Sequence, residues 1–281
     1  MTRVLRTRAE LRAALVSAAR PVGLVPTMGW LHDGHRSLLR RARAENATTV
    51  VTIFVNPRQF DDEGDYTRYP RDTAADLAVC EAEGADIVWL PDPDEVYPPG
   101  FDTTVSVGGV ARPLEGAARP GHFDGVATVV AILFALVGAE RAYFGQKDAQ
   151  QVMVIRRMAA DLALPTEVVA CPTVREPDGL ALSSRNVHLN EQERAAAPVL
   201  GRALAVAAEA YAAGEREAPV LRALMEEVLA LEPLAQVEYV SVADALTLAE
   251  LDRVTGAALL SLAVIFGTTR LIDNRLIGGE D

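Results

Sequence analysis

Cysteine is scarce. The chain of 281 residues has two, Cys80 and Cys171, far apart in sequence and in no Cys-x-x-Cys or other clustered ligand spacing. The expectation is a pair of buried, reduced thiols in a cytosolic protein. Basic charge is also short: the formal net charge is −12. That argues against a nucleic-acid binder, which shows a basic face, but leaves room for a locally basic site for an anionic substrate. Long hydrophobic runs are missing. The longest, Val126 to Val137, is too short to cross a bilayer and reads as a buried helix. The N-terminus has no signal-peptide pattern, since Arg3, Arg6, Arg8 and Glu10 interrupt it. Also absent are a P-loop, a Gly-x-Gly-x-x-Gly and a Ser-His-Asp order. The hydrolase, P-loop kinase and dinucleotide readings lose support accordingly.

What is present centres on Pro26-Thr27-Met28-Gly29-Trp30-Leu31-His32-Asp33-Gly34-His35. The apolar Val22–Val25 before it reads as a buried strand. Leu38, Leu39 and Ala42 after it fall at helical spacing. The stretch is therefore expected to turn a strand into a helix. The first N–H groups of a helix lack internal partners and its dipole is positive there, so an anion binds well. Gly29 and Gly34 permit a tight turn and close approach. His32 and His35, three apart, can point the same way and hydrogen-bond phosphate oxygens, or neutralise charge if protonated. Taken alone, the pair could equally be a surface turn or half a metal site.

Along the chain, Thr7 with Glu10 has the form of a capping box for a helix ending before Pro21. Thr48 to Val55 reads as a central strand, ending in Asn56-Pro57-Arg58-Gln59-Phe60. A polar loop leads to Tyr69-Pro70-Arg71, and Thr73 with Asp76 can cap a helix ending near Gly84. Strands are expected at 86–90, 101–107, 142–144 and 166–170. A Gly- and Pro-rich loop over 108–125 holds Glu115, Arg119 and His122. A helix carrying Val152, Ile155 and Met158 follows Gly145-Gln146-Lys147-Asp148. The alternation implies a Rossmann-like, doubly wound parallel sheet over 1–173, with ligands outside the carboxyl ends of its strands. The His turn, Asn56–Gln59 and Gly145–Gln151 should converge there. After Pro172 the texture changes to a smaller α+β domain, 174–281, with an Ala-rich helix capped by Asn190 and Glu193 and reaching about Ala213. A second helix at 218–231 and strands near 237–242, 257–266 and 271–274 complete it.

Lys147, at a strand end, can reach phosphate as a point charge. Ser183-Ser184-Arg185 adds donors and a charge. Gln59 and Gln151 suit a substrate with hydroxyl and carboxylate groups. Each of these alone is as readily an ordinary surface residue.

Together the residues carry a resemblance. His32-x-x-His35, with the lysine and the Ser-Ser-Arg segment downstream, is similar to the nucleotidylyl-transferase superfamily. Pro26–Gly29, Leu31–His35, Val55-Asn56-Pro57 with Gln59-Phe60, Tyr69-Pro70-Arg71, Arg119-Pro120 with His122-Phe123, Phe144-Gly145 with Lys147-Asp148 and Gln150-Gln151, and Ser183–Asn186 resemble, in order, the pantoate–β-alanine ligase family. The resemblance implies that ATP, pantoate and β-alanine give pantothenate, AMP and pyrophosphate through a pantoyl-adenylate, in a cytoplasmic homodimer with Mg²⁺ accompanying ATP. It implies that His32 and His35 contact ATP phosphates, with His35 as proton donor, and that Lys147 lies on phosphate. Met28 would lie along the nucleotide and pantoate, and Gly29 along the nucleotide. Gly145, Gln146 and Asp148 would hold the nucleotide, with Val174, Leu182, Ser183, Ser184 and Arg185 closing over it. Gln59 would meet pantoate and β-alanine, Gln151 pantoate, and Asn56 and His122 would join the substrate contacts. Gln146, Ala149 and Leu182 depart from the family's usual Glu, aromatic and Met. The rivals are a nucleotidylyl transferase that attacks ATP with a phosphate, and a non-catalytic nucleotide sensor.

Overall fold

The structure, a computed structural model, describes residues 2–60 and 63–279. The chain divides into two compact units, one of residues up to 146 together with 150–172, the other of 147–149 together with 173 onward.

The first unit is built on a six-stranded, wholly parallel sheet in the order β1-β4-β3-β2-β5-β6. In chain order its elements are β1 (Arg3–Leu5), α1 (Arg8–Val16), β2 (Val22–Thr27), α2 (Asp33–Glu45), β3 (Thr48–Ile53), α3 (Glu63–Arg68), α4 (Thr73–Ala82), β4 (Ile87–Trp89), α5 (Pro93–Val96), α6 (Glu115–Ala118), α7 (His122–Val137), β5 (Arg141–Gly145), α8 (Ala149–Asp161) and β6 (Glu167–Cys171). Successive side chains of a strand face opposite sides of a sheet, and the core follows that rule. Leu24, Val50, Trp89, Ala142 and Phe144 point to a cluster shared with Leu11 of α1, Val126 and Val130 of α7 and Ile155 of α8. Their neighbours Val25, Val51, Val88 and Tyr143 point the other way, to Leu38, Leu39 and Ala42 of α2 and Cys80 of α4. Both faces are therefore covered, which is why β3 is buried along its whole length. Cys80 and Cys171 are free and buried. Burial and the nearby Asp76 push the Cys80 thiol up to about 12.

Strand order reverses at β2, whose neighbours are β3 on one side and β5 on the other. Its register with β3 runs from Val22 to Thr27, but pairing with β5 covers only Gly23 and Leu24. Beyond that point β2 includes Pro26, which has no N–H to give. The strands part toward their carboxyl ends, at the topological switch point where ligands bind in such sheets.

The second unit holds α9 (Glu191–Ala196), α10 (Val199–Ala212), α11 (Ala218–Ala230) and an antiparallel sheet of β7 (Gln236–Asp244), β8 (Ala258–Phe266) and β9 (Thr269–Ile277) in that order. Leu200, Leu204, Leu221 and Met225 pack on Leu260, Leu262, Val264 and Phe266.

Several local expectations hold. Thr7 and Glu10 form the capping box of α1, and Asn190 and Glu193 that of α9. Others are corrected. Residues 101–107 form no strand. They run extended beside α7, where Val105 N–H donates to Thr128 Oγ1 at 2.9 Å, so a helix side chain takes the place of a sheet neighbour. The loop expected over 108–125 is partly helical, because the buried Gln150 amide clamps it: its oxygen accepts from Glu115 N, and its nitrogen donates to Val110 O and Pro113 O. His122 consequently opens α7. The Ala-rich helix is broken into α9 and α10 around Pro198. Strand β1 and helix α3 add to the expected elements. Asp72, not Thr73, caps α4 by accepting from Ala75 N at 3.0 Å. Asp76 is engaged elsewhere.

Candidate active site

The turn from β2 to α2 holds the first group of residues. Gly29 and Trp30 both have positive φ, 87° and 54°. In the tight turn they make, the N–H groups of Trp30 and Leu31 converge, a small anion-binding nest. The protein fills that nest with its own carboxylate. Asp76, from α4 and 3 % exposed, accepts from Trp30 N at 3.0 Å through one oxygen and from Leu31 N at 2.7 Å through the other. Burial pushes the Asp76 carboxyl up, and the two N–H bonds pull against that. Gly29 has no room for a side chain, because a Cβ there would lie 2.8 Å from the Asp76 oxygen.

His32 and His35 meet at the head of α2 with ring centroids 4.2 Å apart. His32 is the N-cap. Its Nδ1 accepts from Gly34 N at 3.1 Å, and His35 Nδ1 accepts from His32 N at 3.3 Å. Imidazole thus replaces the usual hydroxyl and carboxylate of a capping box. With both Nδ1 atoms accepting, the neutral rings carry their protons on Nε2. The helix beneath them is fixed by Glu83, which binds Arg36 at 2.8 Å and Arg40 through both carboxylate oxygens at 2.8 Å. Arg40 above all, then Arg36, hold the Glu83 carboxyl below its ordinary value.

Beside this turn, at the end of β3, lie Asn56 and Gln59. Gln59 is buried, and its Nε2 donates to Met28 Sδ at 3.1 Å, linking the β2 and β3 ends directly. Its backbone carbonyl accepts from His122 Nδ1 at 2.8 Å and from Arg119 at 3.3 Å. Asn56 departs from expectation. It is 1 % exposed, and all four of its hydrogen-bonding positions are taken. Its nitrogen donates to Gln59 Oε1 and Gly125 O, and its oxygen accepts from Arg58 N and the Tyr97 hydroxyl. It supports Gln59 and has nothing left for a substrate. Gln151, half-buried, stands in the first turn of α8. Gly145 ends β5, and Gln146 opens the turn after it.

In the second unit Val174 and Leu182 face each other across a hairpin, with Leu182 N donating to Val174 O at 3.0 Å. Arg175 ties that hairpin to β9 by a bidentate pair with the buried Asp273, at 2.6 and 2.9 Å, and donates to Gly179 O. The Asp273 carboxylate raises the Arg175 guanidinium further. Ser183 caps the following 3₁₀ turn, Ser184–His188, by accepting from Arg185 N. A small cleft is lined by Lys147, Leu180, Ser183, Asn186, Ile272 and Asp273, among others. Lys147 lies 3.6 Å from Asp148, and its carbonyl accepts from Asn274 at 2.7 Å. Its side chain is 17 % exposed, more covered than a lysine at a helix start usually is.

A profile of the family described as pantoate-beta-alanine ligase matches residues 3–276. The chain belongs to the pantoate–β-alanine ligase family. A pantothenate synthetase of Roseiflexus sp. strain RS-1 is 63 % identical over 272 residues, 97 % of this chain and 98 % of that protein. A crystal structure of pantothenate synthetase from Thermus thermophilus superposes with a TM-score of 0.94 at 49 % identity, covering 97 % of this chain and 98 % of that one. The pantoate-beta-alanine ligase of Francisella tularensis, solved with beta-gamma ATP and beta-alanine, superposes at 0.81 with 30 % identity, covering 98 % of each chain. The doubly wound parallel sheet followed by a small α+β unit is therefore the ligase fold, and the chain is an enzyme that joins pantoate to β-alanine.

In the first unit, sequence reading gave Gly125 and Gln150 no role and took Asp76 only as a helix cap; in the second it missed the Arg175–Asp273 pair. Gly125 lets α7 lie flush on the turn carrying Gln59: a Cβ there would come within 2.2 Å of Arg58 O. The isolated glycine in an otherwise apolar helix was the available signal.

Proposed function

We propose that the ligase works through a pantoyl-adenylate, formed from pantoate and ATP with release of pyrophosphate and then attacked by β-alanine with release of AMP. The observation that carries this reading is the head of α2. Two imidazole rings, each capping through Nδ1, stand together at a helix N-terminus beside the opening between β2 and β5. Pantoate's carboxylate is a weak nucleophile and repels ATP. In this reading His32, His35 and Lys147 stabilise the charge that moves onto the departing pyrophosphate; the proton-donor role expected of His35 becomes a hydrogen bond from Nε2, because with Nδ1 accepting from His32 N the ring has no proton to give up. Met28, Gly29, Gly145, Gln146 and Asp148 line the nucleotide in this reading, and likeness to the family adds Val174, Leu182, Ser183, Ser184 and Arg185. Gln59 and Gln151 hold pantoate by hydrogen bonds, Gln59 also reaches β-alanine, and His122 supports Gln59 through its carbonyl.

Among the described residues no three His, Cys, Asp or Glu side chains are grouped to hold an ion. Mg²⁺ bound chiefly by ATP phosphates needs no such cage, and the reading brings it in with ATP. No described helix is long and apolar enough to cross a membrane. A cytoplasmic homodimer completes the proposal, by likeness to the family. The test is product identity. Purified enzyme with ATP, Mg²⁺, pantoate and β-alanine should yield pantothenate, AMP and pyrophosphate in equal amounts. ADP and phosphate as products, or a dinucleotide, would contradict it.

A further inference from the structure

Tyr97 lies outside every motif so far given a role. It ends α5, is packed against Phe54 and Phe101, and has the Arg58 guanidinium 5.4 Å from its ring centre. Its hydroxyl donates to Asn56 Oδ1 at 2.7 Å. Burial pushes the phenol up, so it keeps its proton across the working pH range.

The direction of every hydrogen bond beyond it is fixed. Two of the four partners of Asn56 are backbone groups with no choice of role: Arg58 N–H can only donate and Gly125 O can only accept. They orient the Asn56 amide, oxygen toward Arg58 and nitrogen toward Gly125. The remaining hydrogen on that nitrogen goes to Gln59 Oε1 at 3.0 Å, so the Gln59 amide is oriented in turn. Its NH₂ is left pointing along Met28, and its partner among the described residues is a thioether, a weak acceptor, at 3.1 Å. The Arg58 bond to Asn56 is long, 3.3 Å, whereas the Tyr97 bond is short. Tyr97 is thus the stronger of the two anchors on the Asn56 oxygen.

We infer that Tyr97 is a positioning residue which, through Asn56, holds Gln59 with its amide nitrogen toward the substrate, so that the group recognised there is a hydrogen-bond acceptor such as a carboxylate or hydroxyl oxygen. The inference rests on the proposed contact between Gln59 and pantoate. Met28 Sδ is the placeholder that a better acceptor displaces.

Three single variants and one double variant test it, each checked for an unchanged melting temperature and for KM toward pantoate and ATP separately. Tyr97→Phe keeps the ring packing and removes only the donor. Its KM for pantoate should rise about three- to tenfold, the scale of one modest hydrogen bond, with kcat and the KM for ATP held. Gln59→Glu offers only acceptors at neutral pH and should weaken pantoate far more than Tyr97→Phe. Gln59→Ala should weaken pantoate as well, and adding Tyr97→Phe to it should cause no further loss. If Gln59→Ala leaves pantoate unaffected, the Gln59 contact itself fails, and the inference with it. If Gln59→Ala weakens pantoate but Tyr97→Phe does not, or if the two losses multiply in the double variant, the contact stands and the positioning role is overturned. A normal pantoate KM in Gln59→Glu would overturn the assignment of a donor.

Discussion

Replacing Asp76 by Asn removes one of the two carboxylate oxygens that hold the β2–α2 turn. One backbone donor, Trp30 N at 3.0 Å or Leu31 N at 2.7 Å, then faces an NH₂ group in a site that is 3 % exposed. A hydrogen bond to a charged group contributes about 1.5–3 kcal/mol, and a buried donor left unpaired costs about 1–3 kcal/mol. These are two views of one loss and do not add, so a destabilisation of about 2–3 kcal/mol is expected. At roughly 2–4 °C per kcal/mol for a domain of this size, the melting temperature should fall by about 5–10 °C. Activity should fall by more than stability explains, because the same turn aims both histidines. A displacement of about 1 Å at a reacting group can cost about 100-fold. The assay is pantoate-dependent exchange of labelled pyrophosphate into ATP, run well below the variant's melting temperature. The control is Glu83→Gln, which loosens α2 from the end of α4 without touching the turn, and should lower the melting temperature while sparing exchange. Normal exchange in Asp76→Asn, or equal losses of exchange in both variants, would refute the claim that the Asp76 carboxylate positions the histidines.

The pH dependence of the Glu83 contribution has a definite sign. Its folded pKa lies below the ordinary 4.5, so its stabilisation is complete above 4.5 and is lost as pH falls through the lower folded value. Thermal melts of wild type and Glu83→Gln should therefore differ at pH 7 and converge in acid; a gap that is constant with pH would contradict this. Gly125→Ala places a methyl group against the Arg58 carbonyl, and backbone must move. The expected cost is about 1–3 kcal/mol by denaturant titration, together with weaker pantoate binding through the displaced Gln59. Lys147→Met keeps the covered aliphatic stem and deletes the charge. Turnover should drop roughly 100-fold or more, as for loss of one transition-state donor, with little change in melting temperature; near-normal turnover would remove Lys147 from the phosphate role.

Local signals were the readable ones. Thr7 with Glu10 and Asn190 with Glu193 sit three apart, and their capping boxes formed as read. The apolar run to Val137 and the β-branched run from Thr48 carried their own burial in their composition. The strand–turn–helix around His32 was legible because its period changes within ten residues. What failed was set by distant partners. Asp76 has the spacing of a first-turn residue beside Thr73, yet its partners are the backbone of Trp30 and Leu31, some 45 residues earlier. Asn56 looks like a substrate ligand until Tyr97 and Gly125 fill its valences. Residues 101–107 have the texture of a strand, but Thr128 rather than a neighbouring strand takes the Val105 N–H. β1 has three residues, too few for a period to show.

The central claim is that the acid is activated before the amine is used, and one measurement tests it directly. Enzyme is mixed with ATP, Mg²⁺, pantoate and labelled pyrophosphate, with β-alanine left out. The account predicts label entering ATP at a rate that requires pantoate, and an acid-quenched sample containing pantoyl-adenylate. No exchange and no adenylate until β-alanine is added, or a phosphorylated or acylated protein trapped in their place, would contradict it.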